Sequence, residues 1–321
     1  MMKAWMRVLT VTLRQHSGLG IGKELKFGDN ASKGKTDVAI KVIGHKHMSS
    51  LKDECKIEIS NLTYSEITRI INGKFYDVIV TCGYRSANTF DIFRGQVFYI
   101  STRQDDTNTN TAIILCTSKA LAQFGQSRMN LTLNSGINLY SAIKYLTRRA
   151  GISKTSIDES LKNIVIDGKS ATGKTGAATL EQWTTQNSTL IMNVDSASDS
   201  DITIFNAAYQ NKRTIRLKAS NIILSSFPEM TNEGLNLNLI PSFGFMCGDV
   251  IHLDESLNAL IDISIGSRSE LSDGLPYRIN TQGNYMIFQI QFNLENRGSQ
   301  FQMQLLCKNR DLVSNFIGGV Q

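Results

Sequence analysis

The chain has 321 residues, of which 34 are Lys or Arg and 28 are Asp or Glu, so its net charge is +6 at pH 7, and 41% of its residues are hydrophobic. Asn, Thr and Ser number 25, 25 and 31, about a quarter of the chain, whereas proline occurs only three times. This composition excludes a highly charged disordered chain, a collagen and a coiled coil, and the length allows a large folded core.

Neither the cysteines nor the N-terminal residues indicate an extracellular or membrane protein. Arg7 and Arg14 interrupt the first residues before a secretory signal could form, and no apolar window is long enough for a membrane span. The cysteines are odd in number, lack a CxxC pair or zinc-ligand spacing, and are expected to be buried thiols in a reducing compartment. They are Cys55, Cys82, Cys116, Cys247 and Cys307.

Alternating apolar residues dominate the first third of the chain. They predict strands over residues 6–13, 37–45, 54–62, 75–84, 92–104 and 111–118. The last two strands are joined across the polar stretch DDTNTN, so they are expected to form a long hairpin with a polar tip.

One helix interrupts these strands, over residues 63–72. Thr63 and Glu66 have the spacing of a capping box, and Gly73 is expected to stop the helix. The predicted apolar face consists of Ile67, Ile70 and Ile71.

The middle third mixes helices and strands. GINLYSAIKYLTRRAG (136–151) is predicted as a helix because Leu139, Ile143 and Leu146 share one face and Gly151 closes it. The elements expected after it are a strand over 164–167, a glycine-rich loop over 168–176, a helix over 177–187, and strands over 190–194 and 202–208.

Strands return in the last third, over residues 213–219, 236–254, 284–295 and 299–310. The stretch ENRGS is expected to close the last two strands into a hairpin. One face of this hairpin is predicted to carry Met286, Phe288, Ile290, Phe292, Phe301, Met303 and Leu305.

Residues 168–175 read GKSATGKT and satisfy the phosphate-loop pattern G-x-x-x-x-G-K-[ST]. In that interpretation, loop N–H groups would cradle phosphates, Lys174 would reach the terminal phosphate and Thr175 would hold Mg²⁺, with Gly168 and Gly173 shaping the loop. A nucleotide-binding domain needs alternating parallel strands and long helices, which the following residues do not offer. A surface turn is therefore favoured, and a P-loop nucleotide-binding protein is the alternative.

Other catalytic patterns are weak. Asp195 and Asp254 could follow strands as Mg²⁺-binding acids, but neither lies in a series of βα units. His45 and His47 would share a strand face without a third metal ligand in motif spacing, and His252 is expected to be a core or channel-facing histidine. The sequence therefore predicts no enzyme, no cofactor and no metal site.

Several stretches resemble the tail hub proteins of tailed bacteriophages, a family related to the N-terminal part of type VI secretion spikes. FRGQVFYISTRQDDTNTNTAIILCTS (93–118) is similar to a hairpin unit of that family, and INLYSAIKYLTRRAGI (137–152) resembles the helix that opens its second domain. ATLEQWTTQN (178–187) resembles the next helix. Residues 233–254 and 283–309 resemble the second tube-type barrel and its closing hairpin.

This resemblance implies a mainly β, α+β protein with two tube-type β-barrel domains and a mixed α/β domain between them. The boundaries fall at residues 1–118, 119–211 and 212–321. Three copies would form a ring with pseudo-six-fold symmetry that adapts the hexameric tail tube to a central spike or fibre. The implied partners are two further copies of the chain, tail tube protein, spike or fibre protein and tape measure protein, with DNA passing only transiently through the lumen.

The resemblance also implies where such a protein works. It would reside in the virion, at the tail baseplate or tip, after assembly in the host cytoplasm, and would not insert into a membrane. A nucleic-acid-binding β-barrel protein is a third hypothesis, whose signature would be a steep salt dependence of DNA binding.

Overall fold

A computed structural model describes most of the chain. The described residues are 7–17, 20–29, 36–48, 53–85, 88–106, 109–126, 128–152, 154–166, 169–186, 190–193, 202–206, 213–217, 228–231, 234–258, 262–263 and 284–309. No helix within these ranges has the length and apolar character needed to cross a membrane.

The first segment of the chain consists of strands with a single short helix in its described part. Its elements are β1 (Arg7–Ser17), β2 (Gly20–Gly28), β3 (Ala39–His47), β4 (Glu54–Leu62), α1 (Tyr64–Asn72), β5 (Asp77–Tyr84), β6 (Thr89–Asp106) and β7 (Thr109–Thr117).

The middle segment alternates helices with short strands. Its elements are α2 (Lys119–Gln126), β8 (Arg128–Leu133), β9 (Ile137–Asn138), α3 (Leu139–Arg149), β10 (Thr155–Ile157), a 3₁₀ helix (Glu159–Asn163), β11 (Val165–Ile166), β12 (Lys169–Thr175), α4 (Gly176–Gln186), β13 (Leu190–Asn193) and β14 (Ile202–Asn206).

The last segment returns to strands. Its elements are β15 (Thr214–Leu217), β16 (Glu229–Thr231), β17 (Gly234–Leu239), β18 (Val250–Leu253), α5 (Glu255–Asn258), β19 (Asp262–Ile263), β20 (Asn284–Glu295) and β21 (Phe301–Asn309). The protein is therefore mainly β with minor helical content, as the sequence predicts.

Strands of the first and last segments belong to a single sheet. Its order is β19-β16-β17-β21-β20-β3-β4-β7-β6-β5-β1-β2, and β18 pairs with the first residues of β20 and with β15. The two segments meet where β20 pairs antiparallel with β3. Among the described strands this pairing is an open path, so the two closed barrels stay a prediction.

Buried apolar side chains form two separate clusters. The larger cluster combines residues between Leu9 and Cys116 with residues between Ile215 and Cys307, whereas the smaller contains only residues from Ala120 to Ile204. The middle segment therefore has its own core, and the outer two segments share one.

The predicted helices are present. The capping box of α1 forms, with Thr63 and Glu66 each bonding the other's backbone N–H. Ile67 and Ile70 are buried, but Ile71, the third residue of the predicted apolar face, is half exposed. In α3, Leu139, Ile143 and Leu146 are fully buried, and the Asn138 side chain caps the N-terminus by accepting from Ser141 N at 2.8 Å.

Gly73 does not end α1 through a left-handed conformation. Its φ is −73°, and the following residue, Lys74, has φ 46°. Glycine is required at 73 for another reason: a Cβ there would collide with the ring of Phe75 and with Arg69 O.

The predicted alternation along β20 is wrong at its N-terminal half. A bulge lies between Ile287 and Gln289 in the pairing with β21. The extra residue shifts the facing of the strand, so Phe288 is only partly buried while Ile290 and Phe292 lie in the core. Phe301, Met303 and Leu305 of β21 are buried as predicted.

Candidate functional site

A row of polar side chains crosses ten neighbouring strands of the shared sheet. Directly paired residues of antiparallel strands point to the same face, so the register itself places the row on one face. In strand order from β17 to β2, it contains Asn238, Gln304, Gln291, His45, Glu54, Thr117, Gln96, Asp77, Arg14 and Glu24. The opposite face of these strands carries the large apolar cluster.

The antiparallel pairing of β3 with β20 joins the first and last segments, and it is called the β3–β20 joint below. A groove of about 730 Å³ lies over the centre of the polar row, around this joint. Side-chain amides dominate its polar lining, at Gln289, Gln291, Asn293, Gln302 and Gln304. The amide oxygen of Asn293 is buried and has no hydrogen-bond partner within the described structure. The groove therefore presents neutral donors and acceptors in place of a cluster of like charges.

Apolar side chains form one margin of the groove. Phe98 lies where β6 bulges against β7, and its ring is 60% exposed. Tyr99 beside it and Ile43 on β3 are also exposed. Exposed aromatic side chains next to one another are typical of surfaces that contact another protein.

Charged side chains on this face form ion pairs. Lys41 Nζ lies 2.9 Å from Glu295 across the joint, and Lys56 Nζ lies 2.6 Å from Glu58 on β4. The carboxylate of Glu295 raises the pKa of Lys41 by hydrogen bonding and by its charge. Lys41 and Lys56 therefore add no unpaired positive charge to the face at these positions.

The predicted histidine pair lies at one end of the groove. The rings of His45 and His47 are 6.0 Å apart, edge to face, and Phe288 stacks edge-on against His47 at 6.2 Å. Burial first, and then the charges of His45 and Lys308, lower the pKa of His47. Within the described residues, no three His, Cys, Asp or Glu side chains lie close enough together to hold a metal ion, so the histidine pair has no third ligand there.

The β3–β20 joint is held by a glycine and by a turn. Gly44 lies directly opposite Phe292, whose ring covers the place where a Cβ at Gly44 would be. In the turn after β20, the Asn296 side chain accepts from Ile40 N at 2.8 Å and donates to Val38 O at 3.1 Å. This turn therefore hydrogen-bonds the β3 backbone directly.

A third contact fixes the same turn from β1. Arg7 donates to Gly298 O at 2.8 Å, and its guanidinium lies 5.2 Å from the centre of the Phe301 ring. Phe301 also meets Tyr84 edge to face at 5.6 Å. The two outer segments are thus joined by backbone pairing, side-chain hydrogen bonds and aromatic packing.

The glycine- and lysine-rich segment is a strand, and the expected loop over 168–176 is wrong for its described residues. Residues 169–175 form β12, which pairs antiparallel with β8 and bulges between Thr172 and Lys174, at Gly173. Gly168 lies outside the described residues. Thr175 caps α4, since its hydroxyl accepts from Ala178 N at 3.2 Å. Backbone N–H groups committed to strand pairing do not form a phosphate cradle, so this geometry gives the nucleotide alternative no support.

The remaining candidates have structural contacts. Asp254 Oδ1 accepts from Leu257 N at 3.0 Å and so caps α5. His252 is partly buried, and its Nδ1 lies 3.0 Å from Asn284 Oδ1. Asp195 lies outside the described residues.

The polar row and the groove were not predicted from the sequence. Alternating glutamines in QIQF and FQMQ did mark one face of β20 and β21 as polar. That His45 and Glu54 of the first segment continue the same row depends on the β3–β20 pairing, for which no local pattern exists.

Comparison with known proteins identifies the fold. No protein-family model matches the chain, and no curated protein is significantly similar to it. Solved structures of several proteins share its architecture at low identity. The 43 kDa tail protein of prophage MuSo2 from Shewanella oneidensis is 10% identical with a TM-score of 0.59, over 95% of this chain and 99% of that one.

The second is the tail protein from Neisseria meningitidis MC58, 11% identical with a TM-score of 0.55, over 96% and 97% of the two chains. The third is the E. coli c3393 protein, a type VI secretion component described as structurally similar to the T4 tail proteins gp27 and gp5. It is 9% identical with a TM-score of 0.53, over 84% of this chain and 73% of that one. The chain thus has a fold found in phage tail and type VI secretion proteins.

Proposed function

We propose that this chain, which shares the fold of phage tail and type VI secretion proteins, is a structural hub of a phage tail. Three copies form a ring with pseudo-six-fold symmetry, which adapts a hexameric tail tube to a central spike or fibre. The protein works in the virion, at the baseplate or tail tip, after assembly in the host cytoplasm. It has no catalytic role.

One observation carries the proposal: the outer segments of the chain contribute to one sheet with a continuous polar face and a shared core. In a trimer of such chains, two strand-rich segments per copy give six similar units around an axis. The tube-like units are residues 1–118 and 212–321, and the mixed unit between them is residues 119–211.

The polar row fits the wall of a channel. Four of its ten side chains are neutral amides, and nearby charges form ion pairs, as in Arg14–Glu24 and Lys41–Glu295. DNA or tape measure protein would pass this row without strong binding, because its side chains are polar and not predominantly cationic.

The exposed pair Phe98 and Tyr99 supports a contact between copies at the margin of the groove. Aromatic side chains are enriched in the centres of protein interfaces. A single acidic substitution at Phe98 would introduce a charge into that contact, whereas the isolated chain would tolerate it on an exposed bulge.

Light scattering and negative-stain imaging of the purified chain test the proposal. The expected particle contains three copies of the 35.6-kDa chain and forms rings. Phe98→Asp is expected to shift it towards monomer, while Tyr145→Asp, exposed on α3 in the middle segment, leaves it unchanged. A monomer at every concentration that binds neither tail tube nor spike proteins would overturn the proposal.

A further inference from the structure

Cys55 and Cys116 lie directly opposite each other in the β4–β7 strand pair. Both side chains belong to the large apolar cluster and are 3% and 1% exposed. Neighbouring in-register side chains on one face of an antiparallel pair touch each other. The two thiols therefore form a side-by-side pair within the core.

The three other cysteines have different neighbours. All five cysteines lie in the described part of the chain, where each is buried and outside any disulfide. Cys82 is registered with Leu9 and Phe90, Cys307 with Leu235 and Ile287, and Cys247 lies between β17 and β18. Cys82 thus offers a matched control: buried in the same sheet, without a registered thiol.

The register also fixes the distance between the pair. Ser118 N donates to Asp53 O at 3.0 Å, two positions along β4 and β7 from the cysteines. Hydrogen-bonded pairs recur at every second residue, so Cys55 and Cys116 form such a pair, with Cα atoms about 5.5 Å apart. Disulfides join Cα atoms about 4.4–6.8 Å apart, so the Cα separation is within the range of a disulfide, and closing the bond requires the Cβ atoms to approach to about 3.5–4.5 Å.

The surroundings of the two thiols control how fast they react. On the other side of Cys55 lies Gly44, and the ring of Phe292 packs over it, so the core is closed on that side. Burial raises the pKa of both thiols, and the neighbouring Cys116 raises that of Cys55 further. Both cysteines contribute to the wall of the groove, so one sheet layer separates the thiols from solvent there.

We infer that Cys55 and Cys116 form a dithiol site that low-molecular-weight disulfides oxidise to an intramolecular disulfide. The thiolate of one cysteine attacks a sulfur of the reagent, forming a mixed disulfide and releasing one small thiol. The thiolate of the other cysteine then attacks the protein sulfur of the mixed disulfide and releases the second small thiol. The protein loses two electrons and two protons, and the reagent gains them.

The product joins β4 covalently to β7 next to the β3–β20 joint. On the basis of the proposed function, the site stays reduced during assembly in the host cytoplasm and is oxidised in the released particle. The covalent chemistry itself depends only on the isolated chain.

Thiol counting on the folded full-length chain tests the inference. Reduced protein, freed of reductant, is incubated with oxidised glutathione, then denatured and alkylated, and its mass is measured. Wild type and Cys82→Ala are each expected to lose two alkylatable thiols and to regain them with dithiothreitol. Peptide mapping without reduction should recover the segments around Cys55 and Cys116 as one cross-linked species. The rate is expected to rise about tenfold per pH unit, because only thiolates react.

Cys116→Ala provides the decisive comparison: it should form no cross-link, and any thiol it loses should appear as a glutathione adduct of Cys55, because no second thiol resolves the mixed disulfide. Cys116→Val, which replaces the sulfur with apolar volume, serves if the alanine variant unfolds. Five alkylatable thiols in treated wild type, or a cross-link joining other cysteines, would overturn the inference. These outcomes are independent of whether the chain forms rings, so the test separates this site from the hub proposal.

Discussion

The ring of Phe292 covers Gly44, the residue directly opposite it where β20 pairs with β3. Phe292 is 2% exposed, and a Cβ at Gly44 would collide with its ring and with Glu54 O. The smallest residue and one of the largest are therefore complementary at the joint between the outer segments of the chain.

Gly44→Ala is expected to destabilise the protein by about 1–3 kcal/mol, because the added methyl group overpacks the joint. Phe292→Leu removes part of the ring that causes this clash. In the Phe292→Leu background, Gly44→Ala should therefore cost less than in wild type. A double-mutant cycle by urea unfolding measures this coupling. Additive costs would show that the two residues do not interact in this way.

Asn296→Ala should lower the free energy of unfolding by about 1–3 kcal/mol, since it leaves Ile40 N and Val38 O without their side-chain partner. Arg297→Ala, at the exposed next position in the same turn, should change it by less than about 0.5 kcal/mol. Chemical denaturation of both variants makes the comparison. If both variants lost equal stability, the hydrogen bonds of Asn296 would not be the cause of the stabilising effect of this turn.

Stability should fall as the pH drops below about 6.5. Because burial, His45 and Lys308 lower the pKa of His47 in the folded chain, the unfolded chain binds a proton more readily over this range. The contribution of neutral His47 to stability is complete above the ordinary histidine pKa. It is lost as the pH falls through the lowered pKa of His47 in the folded chain. Thermal unfolding between pH 5 and pH 8 should show this slope in wild type and in His252→Gln, and a weaker slope in His47→Gln.

ATP or GTP with Mg²⁺ should give no binding heat in isothermal titration calorimetry. The reason is that residues 169–175 form a paired strand instead of a phosphate loop. Lys174→Ala should behave like wild type. Saturable heat in wild type that disappears in Lys174→Ala would restore the nucleotide alternative.

Local patterns in the sequence predicted local structure well. The capping box at Thr63 and the apolar face of α3 need only residues a few positions apart, so the sequence carries them completely. The long β6–β7 hairpin was also predicted, because its two strands adjoin in the chain.

Features that depend on distant pairing could not be predicted in this way. Asn296 and Ile40 are 256 residues apart, and no local signal marks β3 as the neighbour of β20. The bulge near Phe288 likewise depends on how β21 fits beside β20, and it leaves that residue only partly buried. The GKSATGKT motif led to the opposite mistake: its glycines suggested a loop, but pairing with β8 makes it a strand.

The β3–β20 joint also has a consequence for how the chain folds. During synthesis at about 5–20 residues per second, β3 would leave the ribosome roughly 10–50 s before β20. Throughout that time its outer edge has no partner and could pair with another nascent chain. Lys41 and Lys46 lie along β3. Positive charges on an unpaired strand edge oppose pairing with another chain until β20 has been synthesised and pairs with β3.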